Sequence, residues 1–287
     1  MTKLGGTFTF PGTEITVRRM GYGAMQLPGK GVWGPPRDLP EALAVLRAAV
    51  VAGIDHIDTS DFYGPEVSNQ LIAEALAPYP ADLTIVTKVG AKRGDDASWH
   101  PASADADLAG AIERNLTTLG LKAMDIVNLR LFRADESAAE IERMMHALIG
   151  LKDRGLIRHL GISNAGPDQI AVARSLAPIV CVQNHYNLIQ RKDDALIDAL
   201  AADGIAYVPY FPLGGFAPLQ IERLDSIAAG FGATSMQLAL AWLLQRAPNI
   251  LLIPGTSSLA HLHENIAAAD LVLDEAVVAK LDSIAGQ

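Results

Sequence analysis

The chain has 287 residues, half of them hydrophobic and 19% charged, with a formal net charge of −9. That length can bury a large core, and the negative balance disfavours nucleic acid or an anionic membrane surface as the main partner. The single cysteine, Cys181, excludes an internal disulfide framework and a CxxC metal or redox site. The opening MTKLGGTFTF has no apolar signal-peptide core, and no apolar run reaches spanning length. Cytosol is therefore the expected compartment, with no membrane partner.

GTFTFPGTEITV reads as a β-hairpin turning at Pro11-Gly12. A first strand is expected over 18–24. Its GYGAMQ continuation holds GxG without a third glycine or an immediate helix, a weak dinucleotide signal. A long loop, QLPGKGVWGPPRD, carries Trp33 to a helix over 39–52, with Pro near its start and Gly53 as its stop. Strand two, 54–58, ends in Asp58, and Tyr63 follows five residues on, before a helix over 66–77. Strand three, 83–88, ends in Lys88, and the loop AKRGDDASWHPAS then presents Trp99. A helix over 104–120 leads to strand four, 124–130, which ends in Arg130.

Beyond the helix over 136–154, strand five (157–162) runs into Ser163-Asn164. The helix over 167–177 precedes strand six (179–184), which carries Gln183-Asn184. A helix over 192–203 and strand seven, 205–210, bring the chain to Tyr210. Helix 234–246, strand eight (250–254) with Pro254-Gly255-Thr256, and helix 259–269 complete the series. Strands alternating with helices eight times predict an α/β fold of the (β/α)8 TIM-barrel type behind an N-terminal β-hairpin, as one domain over 1–287. A doubly wound sheet is the rival.

Barrel active sites form where the strands end. A buried lysine is costly unless a carboxylate faces it, and Asp58 is the candidate for Lys88. Taken singly, Asp58 reads equally as a helix cap, Lys88 as a snorkelling side chain and Tyr63 as packing. Their joint occurrence at strand ends points to a site. His56 reads as core and His185 as structural. The histidines offer only His261-x-His263, which does not share a helix face, so no metal site is expected.

HIDTSDFYG, IVTKVG, GISN, VQNHYN, YFPLGG and IPGTSSLAHLHEN, in that order, resemble the successive motifs of the aldo-keto reductase family, from about Arg18 to Ala269. The resemblance implies a barrel binding NADP(H) across its mouth and reducing a small carbonyl substrate. Tyr63 would be the general acid, Lys88 would lower its pKa, and Asp58 would hold Lys88. Ser163, Asn164 and Gln183 would bind the carboxamide, and Tyr210 would stack on the ring. Phe211, Leu213, Gly214 and Gly215 would meet the pyrophosphate. Gly255, Thr256, Ser257, Ser258, His261, Glu264 and Asn265 would grip the adenosine end.

Two departures stand out. The family's usual catalytic histidine is replaced by Arg130, which would donate charge-assisted hydrogen bonds to the carbonyl oxygen and suits an anionic or hydroxyl-bearing substrate. The segment after strand eight has Ser257, Ser258 and His261 in place of the usual Arg or Lys for a 2′-phosphate; hydroxyls and the amides at that helix start still bind phosphate, so NADPH is expected and NADH is the alternative. Trp33 and Trp99 are read as apolar walls over the nicotinamide, or equally as loop packing, and a compact substrate is expected. The motifs look similar to the family's bacterial pyridoxal-reductase branch, implying pyridoxal reduced to pyridoxine. A non-catalytic NADP(H)-binding regulator and a barrel hydrolase or isomerase are the rival classes. A monomer is the family's default.

Overall fold

The computed structural model describes residues 3–214 and 222–284. The chain opens with the expected antiparallel hairpin, β1 (Thr7–Thr9) against β2 (Thr16–Arg18). A parallel sheet follows. Its strands are β3 (Tyr22–Gly23), β4 (His56–Asp58), β5 (Thr84–Val89), β8 (Met124–Arg130), β9 (Ile157–Ser163), β10 (Ile179–Gln183) and β11 (Ala206–Tyr207), paired in that order. The eighth strand is reduced to parallel bridges, and these close the barrel. On one edge Tyr207 N–H donates to Asn249 O and Leu251 N–H to Tyr207 O. On the other, Leu252 N–H donates to Arg19 O and Gly21 N–H to Leu252 O. The first strand is shorter than expected because Arg18 belongs to the hairpin.

The helices fall where the apolar spacing places them: α1 (Leu39–Val51), α2 (Val67–Leu76), α3 (Asp105–Leu119), α4 (Ala138–Asp153), α5 (Pro167–Leu176) and α6 (Asp194–Ala202). Local chemistry fixes their ends. Asp38 caps α1 by accepting from Glu41 N–H at 2.9 Å, with Pro40 in the first turn. Ser137 and Glu140 form a reciprocal capping box on α4. Gly120 ends α3 in the left-handed conformation that glycine adopts without strain.

Three elements go beyond the sequence reading. The loop after β5 folds into a ribbon, β6 (Ala91–Arg93) against β7 (Trp99–Pro101). A helix α7 (Glu222–Ala229) precedes α8 (Ser235–Arg246), and after α9 (Leu259–Ala267) comes α10 (Glu275–Asp282).

Two apolar layers hold the barrel. The larger lies between the sheet and the helices. The smaller is inside: Phe10 and Val17 of the hairpin join the strand residues Val86, Ile126, Val180, Val208 and Leu251. The hairpin thus stoppers the end opposite the strand C-termini, leaving the other end as the mouth. Above this apolar floor the interior turns polar, with His56, Asp58, Lys88, Asn128 and Gln183 all buried. Space for two of them is made by glycine. A Cβ on Gly21 would run into the His56 ring, and one on Gly161 into Asn128 Oδ1 and Cys181 Sγ.

Candidate active site

Period-two alternation along each strand turns His56 and Asp58, Val86 and Lys88, Asn128 and Arg130, and Cys181 and Gln183 to the barrel interior. The register staggers their upper members around the strand C-terminal level, with Asp58 opposite Val86. Gly23 pairs with Asp58, Lys88 with Asn128, Arg130 with Ser163, and Ser163 with Gln183. At that level Lys88 Nζ donates to Asp58 Oδ1 at 2.5 Å and to Thr59 O at 3.0 Å. Gln183 Nε2 donates to the other carboxylate oxygen, Asp58 Oδ2, at 2.9 Å. The buried carboxylate is therefore held from two strands, and the buried ammonium has its counter-ion.

Tyr63 sits on the turn after β4, its N–H donating to Ser60 O at 3.1 Å and its C=O accepting from Ser68 N–H at 3.2 Å. This turn is braced by Asp61, whose carboxylate accepts from Arg114 Nε at 3.0 Å. Burial pushes the Asp61 pKa up to about 6, with Arg114 opposing the rise. The Lys88 ammonium lies 4.9 Å from the centre of the Tyr63 ring. Residues 58, 63 and 88 are thus together on one rim.

The electrostatics correct one expectation. The Tyr63 phenol is raised above its ordinary value of 10 rather than lowered. Burial is the largest cause. Lys88 and Arg130 pull the pKa back down, and Asp58 adds to the rise. The cations limit the rise without reversing it. For Lys88, burial opposes the charged form, but Asp58 and Tyr63 outweigh it and the pKa is raised. The ammonium remains charged at neutral pH.

Two cavities meet at this cluster. One is lined by Gly23, Gln26, Asp58, Tyr63, Lys88, Gln183, Tyr210, Phe211, Leu213 and Gly255. The other, of about 310 Å³, is lined by Met25, Phe62, Tyr63, Lys88, Trp99, Arg130, Ser163, Gln183, His185, Tyr210 and Phe211. Gln183 Oε1 is buried with no hydrogen-bond partner among the described residues. An orphaned acceptor beside the first cavity fits an amide donor such as a nicotinamide carboxamide. Asn164, at φ +60, donates from Nδ2 to Leu131 O at 2.8 Å and accepts from the Tyr210 hydroxyl at 3.3 Å. Tyr210 stacks on His185, with ring centroids 5.4 Å apart. His185, read from sequence as structural, is therefore part of the cavity wall, and burial lowers its pKa.

Arg130 differs from Lys88. Its hydrogen bond is a 3.5 Å contact from Nη1 to Leu131 O, and no carboxylate pairs with it among the described residues. The two tryptophans also diverge. Trp99 lines the 310 Å³ cavity, edge-on to Phe62 at 5.6 Å. Trp33 does not line it; the Arg93 guanidinium lies between the two indoles, 4.1 Å from the Trp99 ring and 5.2 Å from that of Trp33.

A third cavity, of about 680 Å³, brings Ser257 and Ser258 against Gln26, Lys30, Arg37, Asp38 and Glu41 from the loop after β3 and the start of α1. Lys30 and Arg37 were not singled out in the sequence, because they lie more than two hundred residues from the serines. Glu41 Oε1 accepts the Leu259 N–H at 3.3 Å, taking one of the amides at the start of α9. Thr256 and Asn265 are buried, whereas His261 is exposed and, like Glu264, lies outside this cavity's lining. Gly214 is described, and Gly215 lies outside the described residues.

Comparison with known proteins agrees with this architecture. The family model described as "Aldo/keto reductase family" matches residues 19–285. The chain is 59% identical to pyridoxine 4-dehydrogenase of Escherichia coli (strain K12), covering 97% of this chain and 98% of that one. It is 39% identical to an uncharacterized oxidoreductase of Schizosaccharomyces pombe, over 94% and 87% of the two chains. Among solved structures, a thermostable aldo-keto reductase in complex with the inhibitor epalrestat aligns with a TM-score of 0.82 at 28% identity, covering 97% and 99%. An aldo/keto reductase from Klebsiella pneumoniae in complex with NADP and acetate aligns with a TM-score of 0.79 at 25% identity, covering 97% and 94%. The chain belongs to the aldo/keto reductase family and is an oxidoreductase acting on carbonyl groups.

Proposed function

We propose that the protein reduces a small aromatic aldehyde with NADPH, with pyridoxal, giving pyridoxine, as the substrate. The single observation that carries the reading is the Asp58–Lys88–Tyr63 cluster at the mouth, with an orphaned amide acceptor, Gln183 Oε1, beside it. Its substrate assignment is supported by the 59% identity to a pyridoxine 4-dehydrogenase. NADPH, when bound, supplies the hydride. Gln183, Ser163 and Asn164 would hold its carboxamide, and Tyr210 its ring. Tyr63 Oη would donate its proton to the carbonyl oxygen as carbon accepts the hydride, and the charge left on the phenolate would be stabilised by Lys88 and Arg130. Ser257, Ser258, Lys30 and Arg37 would hold the 2′-phosphate end. The barrel would act as one unit, monomeric and cytosolic; among the described residues no helix is long and apolar enough to cross a membrane.

The test is to incubate purified protein with NADPH and a set of aldehydes that includes pyridoxal, following loss of NADPH absorbance. Wild type consumes cofactor with pyridoxal, and Tyr63→Phe does not. Quenching of cofactor fluorescence without turnover would instead favour the non-catalytic binder.

A further inference from the structure

The substrate-side cavity holds two cations with opposite circumstances. The Lys88 charge is matched by Asp58 at 2.5 Å. Arg130 has no carboxylate partner among the described residues, yet it lines the same 310 Å³ cavity as the Tyr63 hydroxyl-bearing ring. With the Lys88–Asp58 pair balanced and His185 held neutral by burial, the wall carries one unmatched positive charge. Beside the polar Ser163 and Gln183, the lining presents aromatic faces: Phe62, Trp99 and the stacked Tyr210–His185 pair suit an aromatic ring. Arg130 and Tyr63 line this one cavity, so an anion held by Arg130 shares a pocket with the carbonyl oxygen that Tyr63 would protonate.

We propose that Arg130 makes the site selective for aromatic aldehydes bearing an ionised hydroxyl on the ring carbon next to the aldehyde. This rests on the aldehyde-reductase reading above and names its substrate class. Pyridoxal has that arrangement. A guanidinium presents parallel N–H donors on a rigid fork, which span the phenolate oxygen and the adjacent carbonyl oxygen together. A neutral ortho hydroxyl would spend its own hydrogen on the carbonyl oxygen and compete with Tyr63; the ionised form leaves that oxygen open to Tyr63. Arg130 thereby fixes the aldehyde in register with the phenol while drawing charge toward it.

The test compares kcat/KM with NADPH for salicylaldehyde, benzaldehyde, 4-hydroxybenzaldehyde and phenylglyoxylate. Wild type is expected to favour salicylaldehyde over benzaldehyde and the para isomer by about tenfold or more, as for a close charge pair. That preference should fade as pH falls below the substrate's own phenol pKa. In Arg130→Met the salicylaldehyde-to-benzaldehyde ratio should drop to about one, and Arg130→Lys, which keeps charge but loses the fork, should fall between. A binding readout runs alongside: calorimetric Kd for salicylamide against benzamide in the presence of NADP+, with the same preference in wild type and its loss in Arg130→Met. Equal wild-type kcat/KM or equal Kd for the ortho-hydroxy and plain compounds, measured above the pKa of their phenol, overturns the proposal. So does a preference that survives Arg130→Met, or one for phenylglyoxylate. If no aldehyde is turned over, the reductase reading falls, and the amide binding ratio still decides whether Arg130 reads an ortho oxyanion.

Discussion

Two parts of the mouth are built differently. At the first, Asp58, Lys88 and Gln183 stand on three strands and are bonded to one another across the barrel. At the second, Lys30, Arg37, Ser257 and Ser258 stand on loops from opposite ends of the chain and share only a cavity. The difference teaches a division of labour. In the proposed function, proton transfer tolerates little displacement, and the Asp58–Lys88 pair that would support it is fixed by the sheet; a phosphate would need only that cations reach it, and loops suffice.

Tyr63→Phe leaves the cluster's shape but removes the proposed acid. Turnover should fall by about 10² to 10⁴, the usual worth of a positioned general acid, with cofactor Kd unchanged by fluorescence titration. Asp58→Asn removes the counter-ion of a buried ammonium, so denaturant melts should show a loss of about 3–5 kcal/mol. A stability change within experimental error would mean that the ion pair does not hold the strands' chemistry in place.

The raised phenol gives a directional pH prediction. Because the acid form persists up to and beyond pH 10, reduction at saturating substrate should stay flat from about pH 6 to 9. Alcohol oxidation needs the phenolate and should rise with pH, by up to about tenfold per unit, over the same span. A reduction rate already falling near pH 8 would show that the bound cofactor and the cations overcome burial.

On the loop side, the double change Lys30→Ala with Arg37→Ala should weaken NADPH by about tenfold and leave NADH nearly unchanged, read as Kd for each. The serines alone would have to serve if it does not. The smallest effect expected separates the tryptophans. Trp99→Ala should raise KM for an aromatic aldehyde by about threefold to tenfold, as an aromatic contact is lost, while Trp33→Ala changes it less.

What was readable in the sequence follows the same division. Strand ends were legible because Asp58, Lys88 and Gln183 each close a short apolar run; singly each has an ordinary reading, which their joint occurrence and the motif order outweigh. Lys30 and Arg37 were not, since nothing local in GKGVWGPPRD signals that it will meet Ser257. The β6–β7 ribbon was hidden because AKR and WHP show no period-two apolar pattern; what holds it is Arg93 between two indoles and its bond to Ala97 O. The helix α10 did carry a signal, with Asp274 accepting from Val277 N–H at 2.8 Å as a cap. The direction of the Tyr63 pKa was out of reach because a sequence names the neighbouring charges and leaves burial, the larger cause, unstated.

The two interior glycines have a genealogical meaning. Since Gly21 is the room that the His56 ring occupies, and Gly161 the room for Asn128, neither member of either pair is free to drift by itself. A descendant that acquires alanine at 21 should also have traded His56 for something smaller, so positions thirty-five residues apart should be inherited as a couple.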